Sequence, residues 1–290
     1  MRHADSLIPK PDPVRSERRV ASLLFLATSF TVFMVRWFRW QPEGGNGGLE
    51  GVATSLVFTG ALMGILLAHE MGHYLVAQSH QFRLSLPWFI PFPFLVGTLG
   101  AIIRLRQRPK TRSGLLEMAG AGPLAGMVVI VVCVVASMVL ENPSVAATSN
   151  IQLSTPLIFS LVSVMCGGPW EVWVSPLEPL AFSAWIGCLV TALNLLPFGQ
   201  LDGGHILCAL VPGWSKRMSW IVTVILLVGG IFWAGWLAWV VALHLLGTRH
   251  PMDVRNPSQP PSRRACMVGL LCSLAWCLCF TPVPFFWKPM

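Results

Sequence analysis

The stretch VATSLVFTGALMGILLAHEMGHYLVAQ, residues 52–78, decides how this chain folds. It is long and apolar enough to form a helix that crosses the roughly 30 Å hydrocarbon core of a bilayer. Two histidines and one glutamate lie inside it, at His69, Glu70 and His73. A charged side chain at mid-membrane costs on the order of 3 kcal/mol, so these polar residues indicate a function.

The composition of the whole chain agrees with a membrane protein. Of the 290 residues, 54% are hydrophobic and 11% are charged, whereas soluble domains have about 25% charged residues. The apolar runs are too long for barrel strands. We therefore predict an all-α multi-spanning membrane protein. About six transmembrane helices are expected, near residues 20–40, 52–78, 114–140, 180–197, 219–246 and 266–287, with an interfacial helix within 151–166.

The distribution of charge predicts the orientation of these spans. Residues 83–112 contain six Lys or Arg, whereas residues 141–180 contain three Glu and no basic residue. By the positive-inside rule the N-terminus and the 79–113 loop are cytoplasmic and 141–179 is external, in what we take to be a bacterial cell membrane. Because the basic residues that give the net charge of +8 lie in short segments between apolar runs, a nucleic-acid partner is not expected.

Four segments follow from the apolar runs and the linkers between them. We expect a cytoplasmic tail at 1–19, a membrane-embedded core at 20–246, a linker rich in Pro and Arg at 247–264, and a hydrophobic segment at 265–290. The stretch 219–246 has two interpretations. A single span would place the linker outside, against the charge rule, whereas a hairpin kinked at Gly229, Gly230 and Gly235 would keep it inside but with short arms.

The polar residues of the second span have the spacing of a metal site. His69 and His73 are four residues apart, on one face of a helix, so both imidazoles can reach one metal ion. Glu70 lies about 100° further round the helix and can hold a water that the metal binds. This His-Glu-x-x-His pattern is typical of zinc-binding helices.

A catalytic zinc ion also needs a third protein ligand. Two acidic residues lie close to apolar segments, Glu117 at the start of the third span and Asp202 after the fourth. Depth favours Asp202, because the second and fourth spans both run inward to the level of His69. Glu117 remains the second choice.

These residues resemble the site-2 protease family of intramembrane zinc metalloproteases. The resemblance rests on the His69–His73 motif and on Asn194 and Pro197 ahead of Leu201-Asp202-Gly203. It implies that His69, His73 and Asp202 hold one Zn²⁺ per chain. The stretches Gly97–Ala101 and Gly120–Gly126 also resemble family signatures. No large PDZ insert is present, as in compact members of the family.

The resemblance implies that the 20–246 core is a protease. It would cleave peptide bonds in or near transmembrane segments of membrane-protein substrates, with Glu70 as the general base. Prolines prevent a helix over 86–94, so a re-entrant strand or hairpin is expected near the active site. Its free edge could bind an unwound substrate. The residues expected to bind substrate are Asn194, Gly97, Thr98, Leu99 and Gly100.

Two other functions are compatible with the same motif. A protease of the prenyl-protein type would use Glu117 as its third ligand. A catalytically silent scaffold or a zinc transporter could use the same His and Asp cluster, although a transporter would spread polar residues through the bilayer. The substrate and the oligomeric state are not predicted.

Overall fold

The structure, a computed structural model, describes residues 13–40, 48–103, 105–107, 109–141, 151–247, 254 and 258–287. These residues form nine helices and two small antiparallel sheets, so the predicted predominance of helix is confirmed. The helices are α1 (Pro13–Arg39), α2 (Leu49–Ser79), α3 (Arg112–Leu140), α4 (Leu157–Met165), α5 (Pro179–Asn194), α6 (Asp202–Leu210), α7 (Ser215–Gly229), α8 (Gly235–Gly247) and α9 (Arg263–Cys279); the strands are β1 (Trp88–Pro91), β2 (Thr98–Ile102), β3 (Ile151–Leu153) and β4 (Phe285–Trp287).

Three of the described helices are long and apolar enough to cross a bilayer: Ser16–Arg39 of α1, and α2 and α3. Helix α2 has 31 residues, which is about 46 Å. Helix α3 lies at the centre of the bundle, where it contacts α2, α4, α5, α6 and α9. The core that joins α2, α3 and α5 contains large buried side chains such as Phe58, Ile130 and Trp185.

One predicted span ends earlier than expected. The apolar segment 266–287 is helical only to Cys279, because Pro282 and Pro284 cannot continue a helix. Residues 285–287 of this segment form β4, which pairs with the antiparallel strand β3. The stretch 151–166 becomes helical only after Pro156, where α4 begins.

The predicted cytoplasmic segments lie at one end of the bundle. There the Glu17 carboxylate of α1 accepts hydrogen bonds from the Leu86 amide at 3.0 Å and from Arg106 at 2.7 Å. The Ser262 amide, just before α9, donates to Ser113 Oγ at the start of α3. The chain therefore brings the N-terminal part of α1, the loop before α3 and the start of α9 together.

The stretch 219–246 is a helical hairpin. Helices α7 and α8 are joined by a turn at residues 230–234. Ser219 near the start of α7 accepts a hydrogen bond from the Gly199 amide, and His244 near the end of α8 lies against Phe198, with ring centroids 5.4 Å apart. Both ends of the hairpin therefore contact the same loop, and α8 returns the chain to the end where α7 began.

A β-hairpin lies along α1. Strands β1 and β2 are antiparallel, and the Phe89 ring of β1 packs edge-on against Phe25 of α1 at 5.2 Å. The hairpin turn reaches Thr31, whose hydroxyl donates to the Gly97 carbonyl at 2.7 Å. Gly97 has φ +92°, and a Cβ there would lie 2.3 Å from Val32 Cα, so only glycine fits. Between its contacts at Glu17 and Val32 the hairpin follows 15 residues of α1, about 22 Å.

Candidate metal centre

Three side chains from two helices meet in the interior of the bundle. His69 Nε2 lies 3.1 Å from Asp202 Oδ2, and His73 Nε2 lies 3.3 Å from Asp202 Oδ1. The potential ligand atoms of the three residues all lie within 4.8 Å of one another. The structure thus brings together the two histidines and the acidic residue that depth favoured, although His73 and Asp202 are 129 positions apart in the sequence.

The spacing of these atoms allows one metal ion to reach all three residues, whose ligand atoms lie within 4.8 Å of one another. Bonds of 2.0–2.1 Å to a tetrahedral zinc place neighbouring ligand atoms about 3.3 Å apart. The two His–Asp separations of 3.1 and 3.3 Å are close to that value, and they end on different oxygens of the Asp202 carboxylate. Two imidazoles and one carboxylate are also ligand types that zinc binds in catalytic sites, which keep a fourth position open. The residues therefore fit a zinc ion.

Helix α3 fixes the imidazole of His73. The His73 Nδ1 atom hydrogen-bonds the Met118 carbonyl at 2.8 Å. Because a carbonyl only accepts, Nδ1 carries the proton, which leaves the Nε2 lone pair free for a metal. The ring lies flat against Gly122, where a Cβ would be 2.1 Å from His73 Nε2. The backbone of α3 thus sets both the tautomer and the position of this ligand.

Asp202 is held by the close packing of its own helix. It is the first residue of α6, and the next two residues are glycines. A Cβ on Gly203 would lie 2.1 Å from the Leu195 carbonyl oxygen, and one on Gly204 would lie 2.4 Å from that of Gly199. Side chains at these positions would push α6 away from the loop after α5, and Asp202 away from the histidines.

The match to a family model agrees with this geometry. Residues 57–237, which include all three residues of the centre, match the model of peptidase family M50. The chain belongs to peptidase family M50. Proteases of family M50 are membrane proteins, in agreement with the apolar helices α1, α2 and α3.

Plant proteins are among the M50 relatives. The chain is 28% identical over 248 residues to a protein of Oryza sativa subsp. indica named "Probable zinc metalloprotease EGY2, chloroplastic", which covers 83% of this chain and 44% of the relative. It is 32% identical over 161 residues to "Probable zinc metalloprotease EGY1, chloroplastic" of Arabidopsis thaliana, covering 53% and 29%. The chain thus spans less than half the length of these relatives. No solved structure matches it.

Glu70 lies beside the metal ligands of the M50 core. It follows His69 in α2 and is 9% exposed. Its carboxylate interacts electrostatically with His69, His73 and Asp202. A buried carboxylate beside the candidate metal ligands is placed to bind a water or a substrate amide.

Glu117 does not lie in the cluster that could hold a metal. Its Oε2 atom is 3.0 Å from His80 Nε2, and this pair joins the end of α2 to α3. The residues described as a metal cluster are His69, His73 and Asp202. The cluster that could hold a metal therefore contains Asp202, the first of the two ligand choices, whereas Glu117, the second choice, pairs with His80.

The residues expected to bind substrate lie in two places. Asn194 ends α5, next to the loop that packs against Gly203. Gly97, Thr98, Leu99 and Gly100 form the turn and the first half of β2. Thr98 is buried, and its hydroxyl donates to the Ile90 carbonyl, which closes the hairpin from inside. Leu99 is 59% exposed. These positions remain predictions for substrate binding.

Sequence reasoning did not find the contacts that hold the ligands. The Met118 carbonyl is a backbone group, which no residue type marks. Gly122 belongs to the small-residue run Gly120–Gly126, and the resemblance of that run to a family signature was the sequence feature that could have pointed to it. Arg112 was counted only as a loop charge, but it binds the end of α6.

Proposed function

We propose that this chain is an intramembrane zinc metalloendopeptidase that hydrolyses peptide bonds in or near transmembrane segments of membrane proteins. The observation that supports it is the placement of Asp202 at 3.1 and 3.3 Å from the two histidines of an apolar helix. Membership of M50 and the relatives' zinc metalloprotease names support the class of reaction.

His69, His73 and Asp202 would hold one zinc ion. When bound, zinc lowers the pKa of a coordinated water far below that of free water, to about 7, and polarises the scissile carbonyl. Glu70 takes a proton from the attacking water and gives it to the leaving amine. The His73 ring keeps its Nδ1 proton on the Met118 carbonyl throughout, so its other nitrogen stays available as a ligand.

Several elements besides α1, α2 and α3 would lie in the bilayer. Helices α5 and α8 are apolar but short, and α5, α9 and the α7–α8 hairpin would complete the embedded core. The β1–β2 hairpin would be re-entrant, since it follows α1 for about 22 Å beside a predicted span. Non-helical backbone is tolerated at such depth where protein covers it or where it lines a cavity.

The outer edge of β2 would bind the substrate. Among the described residues β2 pairs as a strand only with β1, so its other edge has no strand partner there, although the Gly100 amide donates to Thr98 Oγ1. A substrate segment added there as a strand would be unwound, and its peptide bonds would be open to attack. The apolar side chains of Leu99 and Ile102 are exposed on this strand and suit an apolar substrate. The Asn194 amide would hydrogen-bond the substrate backbone or the oxyanion.

The location proposed is a cell membrane with the Arg-rich end of the bundle on the cytoplasmic side, following the charge rule. The names of the plant relatives specify the chloroplast, where the corresponding side is the stroma. Membrane fractionation of the source cells distinguishes a bacterial inner membrane from a plastid membrane.

Replacement of the proposed base tests the function. Glu70→Gln in the full chain, reconstituted in vesicles with a membrane-embedded reporter, is expected to keep stoichiometric zinc and to lose cleavage by at least 100-fold, the usual scale of general base catalysis. Zinc is measured by atomic absorption and cleavage by gel. Glu117→Gln is the matched control, because it makes the same change outside the metal cluster. Retained cleavage in Glu70→Gln would contradict the assigned base, and a wild-type chain that binds zinc without cleaving would favour a scaffold or transporter.

A further inference from the structure

Arg112, the first residue of α3, binds the far end of the helix that begins with Asp202. Its Nε donates to the Ala209 carbonyl oxygen at 2.7 Å, and its Nη2 donates to the Leu210 carbonyl oxygen at 2.6 Å. The last four carbonyls of a helix have no donor within the helix, and a cation there also interacts favourably with the helix dipole. One guanidinium thus satisfies two carbonyls and closes the C-terminal end of α6.

Helix α6 depends on such contacts for its position. It has nine residues, and helices shorter than about 12 residues are not stable in isolation. Its start packs through Gly203 and Gly204 against the loop after α5. Its end is held by Arg112, and α3 is the element that it contacts most. Loss of the Arg112 hydrogen bonds at the end of α6 would let the helix pivot about its packed start.

The same helix α3 also positions a histidine ligand. Met118, whose carbonyl binds His73, lies six residues after Arg112, about 9 Å along the helix. Arg112 and Met118 therefore connect Asp202 and His73 to one rigid element that contributes no ligand itself. The stretch of α3 between Arg112 and Met118 therefore fixes how far Asp202 lies from His73.

We propose that Arg112 is a positioning residue for the third metal ligand. It acts through α6, by fixing the end of the helix so that the Asp202 carboxylate stays within reach of His69 and His73. This inference rests on the proposed function only for the identity of the metal site. Arg112 itself touches neither metal nor substrate.

Metal affinity tests the proposal. The full chain and its Arg112→Gln and Arg112→Lys variants are purified in detergent, and the Kd for Zn²⁺ is measured by competition with a chromophoric chelator. Loss of a partner that orients a ligand lowers metal affinity by about 10–100-fold, so Arg112→Gln is expected to raise the Kd by at least 10-fold. Arg112→Lys keeps the charge but not the two-pronged hydrogen bond, so its Kd should lie in between.

A spectroscopic reading separates positioning from general stability. Co²⁺ in place of zinc should give altered visible absorption bands in Arg112→Gln, because the carboxylate ligand is displaced. The thermal midpoint of the metal-free variants is followed by circular dichroism. Arg106→Gln is the matched control, since Arg106 belongs to the same basic loop but pairs with Glu17. Its Kd and cobalt spectrum should match the wild type.

Two results would overturn the proposal. One is a Kd and cobalt spectrum that match the wild type in both Arg112 variants, even where the metal-free midpoint falls. The other is an equal loss of affinity in Arg106→Gln. None of these readouts needs proteolysis, so a chain that binds zinc and cleaves nothing would contradict the proposed function while leaving the role of Arg112 to be decided by its own measurement.

Discussion

Gly122 leaves no room for a side chain between α3 and the His73 imidazole. A Cβ there would lie 2.1 to 2.5 Å from three ring atoms, so the ring would have to move. Gly126, one turn further along α3, faces His69 in the same way, but a Cβ there would lie 3.4 Å from the nearest His69 atom. Two glycines of one helix thus differ sharply in what a methyl group would meet.

This difference makes a paired prediction. Gly122→Ala is expected to displace His73, to weaken zinc binding by 10-fold or more and to abolish cleavage, since an outer contact that orients a ligand has an effect of that size. Gly126→Ala should keep zinc affinity within a few-fold of the wild type. Chelator competition on both purified variants gives the two Kd values. Equal affinities in the two variants would contradict the role assigned to Gly122.

The histidine pair and the glutamate beside it could be predicted from the sequence because their spacing is local. One helical turn brings His69 and His73 together, so no tertiary information is needed. Asp202 needed an argument from membrane depth, and the structure places its carboxylate 3.1 Å from His69 Nε2. The groups that orient these ligands could not be predicted, because they are a backbone carbonyl at Met118 and a glycine whose neighbour is distant in sequence.

The α7–α8 pair is the element that the sequence left undecided. The 28 residues from 219 to 246 could form one span or two short arms, and the length and charge rules favour opposite choices. Contacts decide it, because Ser219 and His244 both reach the loop at Phe198 and Gly199. The β1–β2 hairpin was easier to predict, since Pro87, Pro91 and Pro93 exclude a helix there.

The hairpin geometry predicts which side of the membrane each end faces. Single cysteines are placed by Lys216→Cys at the start of α7, Arg263→Cys at the start of α9 and Glu171→Cys after α4, in a background without the natural cysteines. A membrane-impermeant maleimide added to sealed vesicles should label the first two from the same side and the third from the opposite side.

That labelling pattern follows because α8 returns the chain to the end of the bundle where α7 starts, and Ser262 binds Ser113 at that end. A control with permeabilised vesicles should label all three. Labelling of Arg263→Cys from the side of Glu171→Cys would show that 219–246 crosses once, and would contradict the hairpin.

The two ends of the bundle are held together by different polar contacts. At the end with the basic loops, an ion pair between Arg106 and Glu17 joins the loop before α3 to α1. At the opposite end Glu141, just after α3, accepts hydrogen bonds from the Leu180 and Ala181 amides at 2.6 and 3.0 Å and so caps α5. Buried Arg36 donates to the Leu177 carbonyl beside it. Helices α1, α3 and α5 thus meet around a buried polar cluster.

Glu178 is the member of this cluster whose protonation changes near neutral pH. Only 8% of it is exposed, and its Oε1 atom has no hydrogen-bond partner among the described residues. Burial, together with the charge of Glu141, raises its pKa from the ordinary value to about 7, although the Ser175 amide opposes the shift. The folded protein therefore holds this proton more tightly than the unfolded chain does.

This raised pKa predicts that stability falls as the pH increases. A group whose pKa is higher in the folded state stabilises fully below its unfolded value, near 4.5, and loses that contribution as the pH rises through about 7. The thermal midpoint in detergent should therefore decline between about pH 5 and pH 7.5 by more than it does in Glu178→Gln, which stays neutral at every pH. Glu50→Gln, at the exposed start of α2, controls for loss of one carboxylate. A wild-type profile parallel to that of Glu178→Gln would contradict a buried proton at the junction of α1, α3 and α5.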